Sequence, residues 1–171
     1  MPSLRKNKKL NLADFRVGFG FDSHSFDTNG KLVFGGIQFP SLPKLKGHSD
    51  GDALLHALID SLLGAAGLGD IGLFFPDSEP QWKGVESKQM LLIVLKKISQ
   101  TGFQIQHVDL TVVAEKPRLS PLRSALIKKI SSLLKVNSNQ VNIKGKTPEG
   151  LQWFSKPGVA CWSVATLVKY A

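Results

Sequence analysis

Apolar and polar positions along the chain follow two periods in turn. From Arg16 to Phe26 they alternate, with aromatic residues prominent, which is the pattern of a strand. Lys31 to Phe39 reads as its partner, with Asp27-Thr28-Asn29-Gly30 as the turn between them and Gly35-Gly36 as a bulge or bend. Pro40 to Lys46 reads as a loop. The period then changes. Asp50 to Ala66 is an apolar run at helical spacing, closed by Gly67 and Gly69. Asp70 to Gly84 is dense in Gly, Pro and Asp and is predicted to be irregular. Glu86 to Thr101 predicts a second helix, stopped by Gly102. Phe103 to Glu115 alternates over Val108, Leu110, Val112 and Ala114 and predicts a strand. Pro121 to Lys135 predicts a third helix, and Val141 to Lys146 and Val159 to Tyr170 two last strands. The order β-β-α-α-β-α-β-β points to a single α+β domain, a mixed β-sheet covered on one face by helices.

Bulk properties narrow this picture. A chain of 171 residues with 42% hydrophobic and 20% charged residues has the composition of one globular domain. No apolar stretch approaches the roughly 18 residues of a membrane-spanning helix, so no membrane partner is expected. Cys161 is the only cysteine, which rules out an intrachain disulfide and a multi-cysteine metal site. The net charge is +9, and Arg5, Lys6, Lys8 and Lys9 supply four of the 22 basic residues. Residues 1–14 therefore read as a basic N-terminal extension and residues 15–171 as the domain. The remaining excess suits an anionic partner, a phosphate ester or a nucleic acid. The cytoplasm is the expected compartment, or a plastid-type organelle if the basic head is a targeting remnant.

The chemistry concentrates in a few places. His48, Asp52, His56 and Asp60 recur four residues apart, which at helical spacing puts them on one face. Either neighbouring carboxylate could hydrogen-bond the His56 ring and fix its tautomer. Asp22 and His24 lie two apart on a predicted strand and project from the same side. Together Asp22, His24 and His56 offer two nitrogens and one oxygen, a catalytic zinc set with an open fourth position. The loop Gly69 to Glu79 carries three acids and two adjacent phenylalanines, suited to binding substrate hydroxyls or to covering a site. Ala114-Glu115-Lys116-Pro117-Arg118-Leu119-Ser120 follows a strand and leads into a helix, an anion-binding corner. Lys144-Gly145-Lys146-Thr147-Pro148-Glu149-Gly150 lacks P-loop spacing, but its Thr and Glu could orient a phosphate and hold a divalent ion.

Gly20-Phe21-Asp22-Ser23-His24, His48-Ser49-Asp50-Gly51-Asp52 with His56, Gly69-Asp70-Ile71-Gly72 and Phe75-Pro76-Asp77 occur in this order. The set resembles the 2-C-methyl-D-erythritol 2,4-cyclodiphosphate synthase family of the non-mevalonate isoprenoid pathway, from about Arg16 to Lys169. The resemblance implies a homotrimer with active sites at subunit interfaces. It implies conversion of 4-diphosphocytidyl-2-C-methyl-D-erythritol 2-phosphate to the cyclodiphosphate, with release of CMP. It makes Asp22, His24 and His56 ligands of one zinc, or another divalent transition metal, per subunit. It makes Glu149 the ligand of a second ion, magnesium or manganese, on the substrate diphosphate. His48 and Thr147 match the residues that position and polarise the phosphates. Substrate contacts are implied for Asp22, Ser23, His24, His48 and Ser49, and around the methylerythritol for Asp70, Ile71, Gly72, Phe75, Pro76, Asp77, Ser78 and Glu79. Ala114 to Ser120 (Ala114, Glu115, Lys116, Pro117, Arg118, Leu119, Ser120) and Lys146, Thr147, Pro148 and Glu149 match the cytidine-diphosphate pocket, and Trp153 and Lys156 are counted among the substrate contacts. Departures are Phe19, where many relatives have His, Pro148 beside Thr147, and Lys156 and Trp162, where many line a trimer-axis cavity with Arg and Glu. A small-molecule substrate is thereby implied, and no nucleic-acid partner. A water-activating zinc phosphoesterase and a nucleic-acid-binding module are the competing readings; the second leaves the histidine–carboxylate set unexplained.

Overall fold

The computed structural model describes residues 10–150 and 156–170. The elements in order are β1 (Leu10–Phe34), β2 (Ile37–Leu45), α1 (Ala53–Ala66), α2 (Ile71–Phe74), a 3-10 turn (Pro80–Trp82), α3 (Ser87–Gln100), β3 (Gln104–Ala114), α4 (Arg123–Leu134), a second 3-10 turn (Ser138–Gln140), β4 (Val141–Lys146) and β5 (Gly158–Tyr170). The strands form one sheet in the order β2-β1-β5-β3-β4. β3 and β4 run parallel, and every other pairing is antiparallel. The α+β class and the mixed sheet agree with the sequence pattern.

The first hairpin differs from expectation. The strand runs straight through Asp27–Gly30, where a turn was predicted, with register irregularities between Phe26 and Leu32. The chain reverses at Gly35-Gly36 instead, between the paired residues Phe34 and Ile37. Both glycines have positive φ, 60° and 72°, the backbone of a two-residue type I′ turn, which twists with its flanking strands. The predicted loop at Pro40–Lys46 consequently lies largely within β2. Pro40 and Pro43 are tolerated there because β2 is an edge strand.

The long helix begins at Ala53, not Asp50. Asp52 is its N-cap, its carboxylate accepting from the Leu55 amide at 3.1 Å. The same carboxylate accepts from the amides of Gly35 (2.9 Å) and Gly36 (2.7 Å), so it joins the hairpin turn to the helix. Gly67, left-handed at φ 70°, closes the helix. The segment predicted to be irregular contains two short helical turns, α2, capped by Asp70 through the Leu73 amide at 2.8 Å, and the 3-10 turn Pro80–Trp82. α3 and β3 to β5 lie within one residue of the predicted bounds.

α1 lies directly on the backbone of β1. A methyl group at Gly18 would stand 2.0 Å from the Ser61 carbonyl oxygen, and one at Gly20 2.1 Å from that of Ala57. Only glycine permits this approach. Leu54, Leu55, Leu58, Ile59 and Leu62 of α1 pack with Leu32, Phe34, Leu110 and Leu167 of the sheet and Leu91 and Val94 of α3. Each such side chain, fully buried, contributes about 1.5–3 kcal/mol. On the opposite face of the sheet Phe15, Val17, Phe19, Phe21 and Val164 remain exposed, Phe19 at 63%.

Candidate metal centre

Alternation along β1 puts Gly18, Gly20, Asp22 and His24 on the side that faces α1. The two glycines bring the helix close, and His56, in its first turn, meets Asp22 and His24. His24 Nε2 lies 2.8 Å from Asp22 Oδ2. His56 Nδ1 lies 2.9 Å from the same oxygen, and the two ring nitrogens are 3.3 Å apart. Asp22 Oδ1 accepts from the Ser23 amide at 2.9 Å, which leaves Oδ2 aimed at the histidines.

These donor atoms suit a divalent metal. A tetrahedral ion with bonds of about 2.0–2.1 Å separates its ligand atoms by roughly 3.3 Å, close to the spacing found. His24 Nδ1 lies 2.5 Å from the Lys46 carbonyl oxygen. A carbonyl only accepts, so Nδ1 carries the proton and Nε2 is the nitrogen that would hold a metal beside Asp22. The site is therefore built for a positive charge. Burial alone would raise the Asp22 pKa, but hydrogen bonds and charges from His24 and His56 outweigh it and hold the carboxyl well below the usual range. Burial alone would lower His24, but Asp22 reverses this and raises it.

The expected support for His56 from Asp52 and Asp60 is absent. Asp52 is committed to three amides. Asp60 accepts from the Ile71 amide at 3.2 Å and so anchors α2. Burial raises the pKa of both. His56 Nε2 meets two hydroxyls instead, Ser49 Oγ at 3.0 Å and Ser87 Oγ at 2.8 Å. The four-residue ladder therefore dissolves. His48 precedes the helix, and Asp52 caps it from the far side. Periodicity correctly suggested a helix but extended it one turn too far.

A cleft of about 480 Å³ opens over the centre, lined by Phe21, Asp22, His24, Lys46, Gly47, His48, Ser49, His56, Ile71, Gly72, Phe75, Asp77, Trp82 and Met90. It unites most of the predicted residues of the first half of the chain. His48 stands at its mouth, largely exposed, 3.7 Å from Asp77. Phe75 and Trp82 pack edge to face at 4.9 Å to form one wall. Lys46, Trp82, Met90 and Ser87 were not singled out from the sequence. Ser87 could not have been, because nothing local marks a contact made across 31 residues.

Other expected residues serve locally or lie elsewhere. Asp70 is spent on the α2 cap. Glu79 accepts from Gln81 (2.6 Å) and Trp82 (3.2 Å) and braces the 3-10 turn. Pro76, Ser78 and Ser23 are not among the cleft-lining residues. Ala114 to Ser120 and Lys146 to Glu149 do not line it either. They stand toward the same end of the sheet, His24 pairing with Val159 and Val159 with Ala114. Glu115, Lys116, Arg118, Ser120, Lys146, Thr147 and Glu149 are exposed, while Pro117 and Leu119 are buried. α4 begins at Arg123, with Leu122 as its cap, so the helix-start amides lie beyond the predicted corner. Thr147 Oγ1 donates to Glu149. Lys156 is exposed, and Trp153 lies outside the described residues.

Fold and site together define an α+β protein with a candidate divalent-metal centre of two histidines and one aspartate at the floor of a cleft. Residues 15–168 match the model of the YgbB family. The 2-C-methyl-D-erythritol 2,4-cyclodiphosphate synthase of Gemmatimonas aurantiaca is 44% identical over 154 residues, 90% of this chain and 93% of that protein. A bifunctional IspD/IspF enzyme of Sulfurimonas denitrificans is 46% identical, and the match spans 84% of this chain and 37% of the relative. A solved structure of 2C-methyl-D-erythritol-2,4-cyclodiphosphate synthase in a CDP-bound form is 37% identical, with a TM-score of 0.82 over 89% of this chain and 99% of that one. The Plasmodium falciparum IspF CDP complex is 31% identical, with a TM-score of 0.80 over 94% of this chain and 100% of that one. The chain belongs to the YgbB family and to the 2-C-methyl-D-erythritol 2,4-cyclodiphosphate synthase family.

Proposed function

We propose that the chain is a metal-dependent 2-C-methyl-D-erythritol 2,4-cyclodiphosphate synthase of the non-mevalonate isoprenoid pathway. It converts 4-diphosphocytidyl-2-C-methyl-D-erythritol 2-phosphate to the cyclic diphosphate and CMP. The observation that carries this reading is the convergence of Asp22, His24 and His56 in a cleft, on a chain matched by the family from residue 15 to residue 168.

The reaction is internal to the substrate. An oxygen of the 2-phosphate forms a bond to the β-phosphorus, the bond from that phosphorus to the bridging oxygen breaks, and CMP leaves with the electron pair. No protein nucleophile is required. The protein's task is to hold a crowded anion in line and to offset charge as it shifts. Asp22, His24 and His56 would hold a zinc ion, which when bound supplies Lewis acidity and a template for phosphate oxygens. His48 and Lys46 stand at the mouth, where a hydrogen-bond donor and a cation meet an entering phosphate. Ile71, Phe75, Trp82 and Met90 provide the apolar wall for the methylerythritol carbons.

The cytidine half needs Ala114–Ser120 and Lys146–Glu149, which this cleft does not contain. We assign them to the pocket of a neighbouring copy in a homotrimer, with Glu149 holding a magnesium or manganese ion on the diphosphate and Thr147 hydrogen-bonding phosphate. The exposure of Glu115, Lys116, Arg118, Ser120, Lys146, Thr147 and Glu149 and the bare apolar face around Phe19 support that assembly. The test is incubation with the diphosphocytidyl substrate, zinc and magnesium, followed by phosphorus NMR in oxygen-18 water. CMP and a cyclic product free of solvent oxygen are expected, with both lost in His56→Ala. A ring-opened phosphate carrying solvent oxygen would instead identify a hydrolase.

A further inference from the structure

His56 differs from His24 in what lies behind its ring. His24 leans on a backbone carbonyl, which fixes its tautomer outright. His56 Nε2 meets Ser49 Oγ and Ser87 Oγ, and a hydroxyl can donate or accept. The ambiguity is resolved one residue further out. The Ser87 hydroxyl donates to Asp50 Oδ1, while the Ser87 amide donates to Asp50 Oδ2 at 3.1 Å. Its only proton is thus committed to a carboxylate, and what it offers His56 is a lone pair. An unprotonated Nε2 at 2.8 Å would face lone pair against lone pair, so Nε2 must carry hydrogen. With Nε2 protonated, Nδ1 is the nitrogen that would hold a metal ion beside Asp22 and His24. Ser49 has no such commitment; its hydroxyl accepts from the Gly51 amide at 3.3 Å and its own proton is free to turn.

We infer that Asp50 and Ser87 are positioning residues for the metal centre, a carboxylate–hydroxyl relay that holds His56 as a Nδ1 ligand. The inference rests on the metal-centre reading above. Ser87 is fully buried and is the first residue of α3. The relay therefore also ties the start of that helix, from a distant part of the chain, to the floor of the cleft. The arrangement has the form of the outer carboxylates behind metal-bound histidines, whose loss costs about 10–100-fold in metal affinity.

The test compares zinc affinity, by competition with a chromophoric chelator, in the full-length wild type, Ser87→Ala, Ser49→Ala and Asp22→Ala, each first shown by melting to be folded. The relay predicts affinity lower by about 10–100-fold in Ser87→Ala, a change of less than about threefold in Ser49→Ala, and a larger loss in Asp22→Ala. A second readout is the Nε2 proton of His56 in the zinc-loaded protein, followed by NMR. It should exchange slowly with water in wild type and in Ser49→Ala, and quickly in Ser87→Ala. Affinity and exchange in Ser87→Ala that match wild type, beside a weakened Asp22→Ala, would overturn the relay and leave the metal centre standing. Unchanged affinity in Asp22→Ala would overturn the centre and the relay together.

Discussion

At the scale of the residue, the electrostatics of Asp22 and His24 set a pH window. In the metal-free protein the folded state lowers the Asp22 pKa from 3.8 and raises that of His24 from 6.5. The Asp22 contribution is present above its unfolded value and is lost as pH falls through the depressed folded one. The His24 contribution is present below 6.5 and is lost as pH rises through the raised folded one. Both are complete between about pH 3.8 and 6.5. The difference in melting temperature between metal-free wild type and His24→Gln should therefore be largest inside that window and shrink toward alkaline pH. A difference that grows with pH would contradict the assigned geometry. Metal affinity must run the other way and rise with pH, since the proton on His24 competes for the same lone pair. Asp52 poses a separate question of stability. Asp52→Ala removes a helix cap, about 0.5–2 kcal/mol, and orphans the Gly35 and Gly36 amides, about 1–3 kcal/mol each if they stay dry. A loss of several kcal/mol is expected in urea unfolding, with the metal ligands untouched.

At the scale of the element, the decisive contact is α1 on β1. Gly20→Ala would drive a methyl into the Ala57 carbonyl, so the helix must move outward and carry His56 away from Asp22. Overpacking of this kind costs about 1–3 kcal/mol or more. A fall in zinc affinity should accompany the destabilisation, whereas Gly64→Ala, whose new methyl would have nothing nearer than 3.9 Å, should leave affinity unchanged. Elements of this kind explain what the sequence could disclose. The alternation of β1, the apolar run of α1 and the Gly stops were readable because they are local. The grouping of Asp22, His24 and His56 was readable as chemistry, two histidines and a carboxylate on faces that periodicity could assign. The position of the hairpin turn was not, because Asp27-Thr28-Asn29-Gly30 and Gly35-Gly36 are both good turn sequences. What decides between them is the buried Asp52 carboxylate, which receives both Gly35 and Gly36 amides from a residue 16 to 17 positions away. The support of His56 by Ser87 was hidden for the same reason.

At the scale of the whole molecule, the candidate metal ligands lie on one chain, while the cytidine pocket is proposed to come from another. Assembly and metal binding are therefore separable. Light scattering should give three times the 18.6 kDa chain mass for wild type. Phe19→Asp, which places a charge on the exposed apolar face, should dissociate the assembly and abolish turnover while zinc affinity is retained. A monomeric wild type with full activity would refute the shared pocket. The single thiol adds a different kind of access to the molecule. Cys161 pairs with Asp22 across the β1–β5 ladder and is wholly buried, and burial raises its pKa well above that of a free thiol. A thiol-reactive dye can then reach it only when the centre of the sheet opens. Labelling rate becomes a clock for that opening, read at one atom beneath the cleft. Zinc, by favouring the closed state, should slow the clock in proportion to its occupancy.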